Sequence, residues 1–234
     1  MKWLVILFLP LFSLSQNNDT MHQNPTYKPV YTYLALGDSY TIGESVSLTQ
    51  SFPYQAVSLL RKEGYHFAGP EIIAKTGWTA DELELAIKNH KFLTRYDYVS
   101  LLIGVNNQYR GRNIIEYKDQ LERLFKKSIE LANDKPEHVF VISIPDYGYT
   151  PFGQALNAEK ISREITAYNA LNKALSLQYK VQYIEITESS RKAKTNASLV
   201  ANDGLHPSAK EYAKWAKKLT SAILAAIKKQ KPTT

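Results

Sequence analysis

From residue 31 onward, short apolar segments alternate with amphipathic ones, and this alternation limits the possible folds more than any other feature of the chain. Tyr31 to Leu36 is aromatic and apolar and stops at Gly37, as a buried strand would. Phe52 to Lys62 reads as a helix ending before Gly64, and Glu71 to Ala74 as a short strand. Thr79 with Glu82 three residues on is a capping box, so a helix begins there. Tyr98 to Ile103, Val139 to Ile144 and Val181 to Ile186 are further strand segments. Between them, residues 114–132 place Leu121, Leu124, Phe125 and Ile129 on one helical face, and Ile161, Ile165, Tyr168 and Leu175 mark a long helix. Pro207 suits the first turn of a last helix, with Tyr212, Trp215, Ala216, Leu219 and Ile223 facing inward. Strands joined by helical crossovers pair in parallel and carry helices on both faces. The expected architecture is an α/β protein, a three-layer α/β/α sandwich around a five-stranded, mostly parallel sheet.

Length and composition fit a single domain. The chain has 234 residues, 44% of them apolar and 22% charged, the balance of an ordinary globular protein. It contains no cysteine, which excludes disulfides, thiolate metal sites, a cysteine nucleophile and a lipid-modified N-terminal cysteine. The net charge is +7, yet the excess sits in helix-like stretches such as Lys214, Lys217 and Lys218 and in the tail Lys228, Lys229 and Lys231. No helix-turn-helix, zinc-finger or RNP signature accompanies it, so these lysines read as a solvated face, not a nucleic-acid surface. At the start, Met1-Lys2 precedes the apolar run Trp3 to Phe12 and then Ser13-Leu14-Ser15, the pattern of a secretory signal peptide cut before Gln16. The run is too short for a membrane span, which needs about 20 residues. The expected organisation is a signal peptide at 1–15, a loose polar leader at 16–29 and one domain at 30–230, exported to a periplasmic or extracellular destination.

In parallel sheets ligands bind beyond the carboxyl ends of the strands, so the residues that follow each strand carry the functional information. Leu36-Gly37-Asp38-Ser39-Tyr40 follows the first, placing a serine hydroxyl at a strand-to-loop corner. Thr76-Gly77-Trp78-Thr79 follows the second, where glycine lets a backbone N–H approach a ligand just before a helix start. Ile103-Gly104-Val105-Asn106-Asn107 follows the third, with amides able to donate to an anion. Near the end, Asn202-Asp203-Gly204-Leu205-His206-Pro207 sets a carboxylate three residues before an imidazole, a spacing that lets Asp203 hold Nδ1–H while Nε2 faces a cleft. Each piece alone is ordinary turn chemistry. His22, His66, His90 and His138 show no ligand spacing, and no HExxH, EF-hand or Walker A motif is present.

The four pieces in this order resemble the blocks of the SGNH hydrolases, also called the GDSL esterase/lipase family. The resemblance covers nearly everything from Tyr31 to the last helix. It implies a flavodoxin-like sheet, Ser39 as nucleophile, His206 as general base and Asp203 as its orienter. It also implies an oxyanion hole built from the Ser39 and Gly77 N–H groups and the Asn106 side chain, with no metal or organic cofactor. Two positions depart from the family pattern: Tyr40 stands where leucine is common, and Asn107 where aspartate is usual. The Tyr40 change bears on packing; Asn107 bears on how firmly its loop is anchored. The implied activity is hydrolysis of carboxylic esters with small or medium acyl groups. Carbohydrate acetyl esterases and lysophospholipases share the same blocks, and a catalytically dead binding module is the non-enzymatic alternative. Pro145 to Gly153 is rich in aromatics and turn formers, so Tyr147, Tyr149 and Phe152, together with Trp78, Tyr109 and Arg110, are candidate residues for the pocket wall.

Overall fold

The computed structural model describes Met1 and residues 29–230. The expected signal peptide beyond Met1, nearly all of the expected leader and Lys231 lie outside the described residues. Five strands form one sheet: β1 (Tyr33–Asp38), β2 (Glu71–Lys75), β3 (Tyr98–Leu102), β4 (Val139–Ile142) and β5 (Gln182–Ile184), in the order β2-β1-β3-β4-β5. Every pairing is parallel. Two helices, α2 (Phe52–Lys62) and α9 (Ala209–Gln230), pack on each other in one layer, and α3 (Ala80–Asn89), α5 (Ile114–Leu131) and α7 (Ala158–Gln178) form the other. Short helices α1 (Ser39–Ile42), α4 (Val105–Tyr109), α6 (Pro151–Gln154) and α8 (Thr187–Ser190) sit in the connections. The α/β sandwich expected from the alternating pattern is the fold observed.

The elements form where their residues favour them. β1, β3 and β4 are covered by helices and buried along their whole length, so they carry continuous apolar runs and not alternation. The Thr79–Glu82 capping box opens α3 as expected. The inward face of α9 is also the expected one, with Tyr212, Trp215, Ala216, Leu219 and Ile223 all buried. Its start differs: Pro207 pairs with Val200 in an isolated bridge, and the helix opens after Ser208, whose carbonyl accepts the Tyr212 N–H at 3.0 Å. The bridge holds Pro207 in the extended chain that presents the preceding histidine.

β1 is sandwiched between β2 and β3, and its carboxyl end is level with theirs. Asp38 pairs with Lys75 and Gly37 with Leu102. Adjacent strands lie about 4.8 Å apart, so residues just after these three ends meet at one spot. The connection leaving β1 runs to β2 and the one leaving its neighbour β3 runs the opposite way to β4, which makes the β1/β3 edge the topological switch point where such folds bind ligands.

Gly37 makes the exit from β1 possible. A Cβ there would stand 2.1 Å from Thr41 Oγ1 and 2.4 Å from the Leu102 carbonyl oxygen. That carbonyl belongs to the paired neighbour β3 and cannot withdraw without breaking the sheet. Gly37→Ala should therefore destabilise the domain by at least about 2 kcal/mol, lowering the midpoint in a calorimetric melt by about 4–8 °C. An unchanged midpoint would show that the approach is not as tight as described.

Candidate active site

A cleft of about 200 Å³ opens at this switch point, and its lining includes Ser39, Gly77, Asn106 and His206. Ser39 opens α1 and is almost fully buried, and Asp38 before it caps the helix by accepting the Tyr40 N–H at 3.0 Å. Gly77 takes a left-handed turn with φ +83° immediately after β2. Asn106 lies in α4, and its Nδ2 donates to the Trp78 carbonyl at 2.9 Å. An amide carries two N–H groups; this bond engages one and orients the side chain, leaving the second for a ligand. Arg110 braces the same loop from α4's C-terminus, donating to the Gly77 carbonyl at 2.6 Å and to Glu82 at 3.1 Å.

His206 reaches the cleft from the loop before α9. Its Nδ1 lies 2.6 Å from Asp203 Oδ2. Asp203 Oδ1 accepts the Leu205 and His206 backbone N–H groups, each at 2.9 Å, so the carboxylate and the turn hold each other. Partial burial by itself would raise the Asp203 carboxyl. The Ser45 hydroxyl, the Leu205 N–H and the His206 ring and backbone N–H outweigh it and hold the group well below the usual carboxylate range. Ser39, His206 and Asp203 thus converge from separate ends of the chain. Tyr40 packs its ring edge-on to His206 at 5.6 Å and to Trp215 at 6.2 Å, fixing the plane of the imidazole from behind.

Three of the aromatic candidates line the cleft. Tyr109, Tyr147 and Phe152 form a triangle with ring centroids 6.3–6.4 Å apart, and Tyr40, Thr76, Val105 and Leu205 complete the lining. The segment bearing Phe152 is tied to the histidine loop by a bond from its N–H to the Gly204 carbonyl at 3.0 Å. Trp78 and Tyr149 are placed elsewhere. The Trp78 ring packs half-buried against the core. Tyr149 lines a separate cavity of about 270 Å³ together with Lys194, and Arg191 and Lys194 lie 5.7 and 6.0 Å from its ring centre. Asn107 is buried beneath the cleft, accepting the Ala80 N–H at 2.9 Å and donating to Gln120 at 3.1 Å. A larger open groove of about 790 Å³ runs between α7 and β5, but it holds none of the residues that line the cleft. Among the described residues, no group of three or more His, Asp or Glu side chains is gathered as a metal site. None of their helices is long and apolar enough to cross a membrane.

The sequence match agrees with this geometry. The family model of the GDSL-like lipases and acylhydrolases matches residues 35–214, which contain every residue of the cleft. The chain belongs to the GDSL-like lipase/acylhydrolase family. As a GDSL-like acylhydrolase it is a carboxylic ester hydrolase. Solved structures share the fold. A lipase/acylhydrolase from Enterococcus faecalis superposes with a TM-score of 0.68, covering 84% of this chain and 96% of its own at 17% identity. An acetylxylan esterase from Geobacillus stearothermophilus gives 0.65, with 82% and 94% covered at 18% identity. A psychrotrophic esterase from Pseudoalteromonas sp., inhibited by monoethylphosphonate, gives 0.61, with 85% and 99% covered at 16% identity. Among curated proteins, nothing matches by sequence.

Sequence reasoning missed the groups that hold the GDSL-like site together from outside it. Ser45, Glu44 and the bracing role of Arg110 leave no local signal, because each acts across the fold on a partner distant in sequence.

Asp38 gives this site a measurable pH signature. It is fully buried, Oδ1 caps α1, and Oδ2 has no hydrogen-bond partner among the described residues. Burial outweighs the Tyr40 N–H and pushes the carboxyl up to about 7. The folded chain thus holds this proton more tightly than the unfolded chain, whose carboxylate titrates near about 4. The stabilisation is fully present below that value and is lost as pH rises through about 7. Asn at this position retains the cap and cannot ionise. The melting temperature of Asp38→Asn relative to the unmodified protein should rise between about pH 4 and pH 7 and level off above. A difference independent of pH in paired thermal melts would refute the buried titration.

Proposed function

We propose that the chain is an exported serine esterase that cleaves small- or medium-chain carboxylic esters through an acyl-Ser39 intermediate. The observation that carries the proposal is the convergence, in one cleft, of Ser39, Gly77, Asn106 and a His206 held by Asp203 at 2.6 Å. His206 Nε2 takes the proton from Ser39 as Oγ bonds to the ester carbonyl carbon. The carbonyl π electrons move to oxygen, and the resulting oxyanion is met by the Ser39 and Gly77 N–H groups and the free N–H of Asn106. The intermediate collapses, the C–O bond to the alcohol breaks, and His206 returns its proton to the leaving oxygen. Water repeats the sequence on the acyl-serine, releasing the acid and restoring Ser39. Asp203 keeps the imidazole in the tautomer with Nδ1–H and balances the charge it gains.

The cleft also supports the choice of substrate. At about 200 Å³ it is smaller than the usual range for drug-sized ligands, about 300–1,000 Å³. Among the described residues, no Asp, Glu, Lys or Arg lines it, which suits a substrate that is neutral near the carbonyl. The aromatic triangle lines it with apolar surface suited to a short acyl chain. Export is supported by the charged, apolar and small-residue succession of residues 1–15. N-terminal sequencing of the secreted protein is expected to begin at Gln16.

Ser39→Ala or His206→Ala should lower kcat on a chromogenic acetyl or butyl ester by at least about 10³-fold, because the three groups act as a unit. Asn106→Ala should lower it by about 10²- to 10³-fold, the loss for one oxyanion donor. A fluorophosphonate probe should label Ser39; wild-type turnover by Ser39→Ala would overturn the assignment of Ser39 as nucleophile, and failure of the probe to react would favour the binding-module alternative. Across a panel from acetyl to long-chain esters, with acetylated xylan and a lysophospholipid included, activity should peak at short acyl chains. Phe152→Ala should move the peak to longer chains by enlarging the cleft. A long-chain optimum in the unmodified enzyme would overturn the small-acyl reading.

A further inference from the structure

The turn that follows α1 reaches both flanks of the site. Ser45 Oγ donates to Asp203 Oδ2 at 2.5 Å. That is the oxygen that also accepts Nδ1–H of His206 at 2.6 Å. One carboxylate oxygen is therefore shared by two side-chain donors, while Oδ1 is occupied by two backbone N–H groups. Next to Ser45, Glu44 accepts a hydrogen bond from Thr76, the residue before Gly77. Ser45 itself is exposed and adopts φ +64°. Residues other than glycine seldom occupy this region, and glycine would do so without strain. A serine in this conformation points to work for its side chain, and the bond to Asp203 supplies it.

We propose that Ser45 is a positioning residue for the Asp203–His206 pair. The inference rests on the reading of Ser39, Asp203 and His206 as one catalytic unit. The hydroxyl acts in two ways. It stops the carboxylate from rotating about Cβ–Cγ, so Oδ2 stays on Nδ1 and Nε2 stays aimed into the cleft. It also draws charge from Oδ2, so the carboxylate grips the imidazolium less tightly and the proton passes more readily to the leaving alcohol. The shared oxygen thereby trades some binding of the charged ring for faster release.

The test compares Ser45→Gly and Ser45→Ala in the full chain. Both lack the hydroxyl; glycine suits φ +64°, whereas alanine keeps the strain. Both should lower kcat on a short-chain chromogenic ester by about 3- to 10-fold, the factor for one lost hydrogen bond, with KM held within about twofold. The acid limb of kcat/KM should move to higher pH in both, since the unshared carboxylate favours the charged ring. The ¹⁵N resonance of His206 Nδ1, read through the carbon-bound ring protons, should shift in both. Ser45→Gly should melt no lower than the unmodified protein, which separates the effect from damage to the fold. A Ser45→Gly protein with unchanged rate, acid limb and Nδ1 resonance overturns the proposal. So does a loss of rate that follows a fall in melting temperature while the Nδ1 resonance stays in place. The resonance is measured without substrate. If no ester were cleaved and Ser39 resisted the probe, the reading of Ser39 as nucleophile would fall, and the Nδ1 shift would still decide whether Ser45 holds the pair.

Discussion

Parallel pairing of β1 with strands on both sides is the constraint on which the site depends. Because β2 and β3 end level with β1, the residues that follow them flank Ser39 without any of them being adjacent in sequence. The chain direction supplies the rest. All three strands point the same way, so their carboxyl ends share one edge, and the loops that leave them can converge only there. Gly37, next to the last residue of β1, leaves free the space in which a Cβ would meet both Thr41 of α1 and the Leu102 carbonyl. Any side chain at that point would push Ser39 away from the edge.

Convergence of loops is not rigidity, and the loops here are stitched by polar bonds that run between elements. Arg110 joins α4 to Gly77, Glu44 joins the turn after α1 to Thr76, and Phe152 joins the aromatic segment to Gly204. Each bond crosses from one strand-end loop to another. The segment carrying Tyr147 and Phe152 is further anchored by buried Asp146, which accepts from Gly148 N, Ser162 Oγ and Arg191 Nε. A reaction that moves a proton over short distances needs its groups held to within a fraction of an ångström. These cross-links supply that restraint in loops that lack the ladder bonds of the sheet.

The layout of the domain was legible because burial imposes its period on the sequence. Continuous apolar runs such as Tyr98–Leu102 and Val139–Ile142 stand out as covered strands, and the 3.6-residue spacing in α5 and α9 stands out against them. Strand ends were less legible. The strand segment expected to run to Ile144 stops at Ile142. There Ser143 Oγ accepts the Ile186 N–H, and the Asn169 side chain from α7 satisfies both the N–H and the carbonyl of Ile144. Side chains distant in sequence end the ladder, which no local pattern announces. The same holds for the site. The groups facing the cleft were recoverable because each follows a strand. Ser45 was not, since its partner lies 158 positions away and an exposed serine in a polar loop signals nothing by itself. Trp78 and Tyr149 show the converse: proximity to a strand end brings an aromatic residue near the cleft without deciding which way its ring points.

The two departures from the family pattern show how the scaffold absorbs change at positions that touch the chemistry. An aspartate at position 107 could only accept hydrogen bonds when ionised, and a buried carboxylate needs several donors to remain charged. Asparagine keeps the acceptor for the Ala80 N–H and adds a donor, which Gln120 Oε1 meets, while Gln120 in turn donates to Glu116. Helix α4, which bears Asn106, is thus tied to α3 and α5 through two neutral amides, Asn107 and Gln120, without the desolvation penalty of a buried carboxylate at position 107. Tyr40 works on the other side. Leucine would offer His206 a flexible aliphatic surface, whereas the tyrosine ring offers a rigid edge wedged against Trp215. Its hydroxyl stays neutral because burial pushes the phenol well above its usual range, so it adds no charge beside the imidazole. Both replacements therefore leave the electrostatics of Ser39, His206 and Asp203 intact and alter only how their supports are packed.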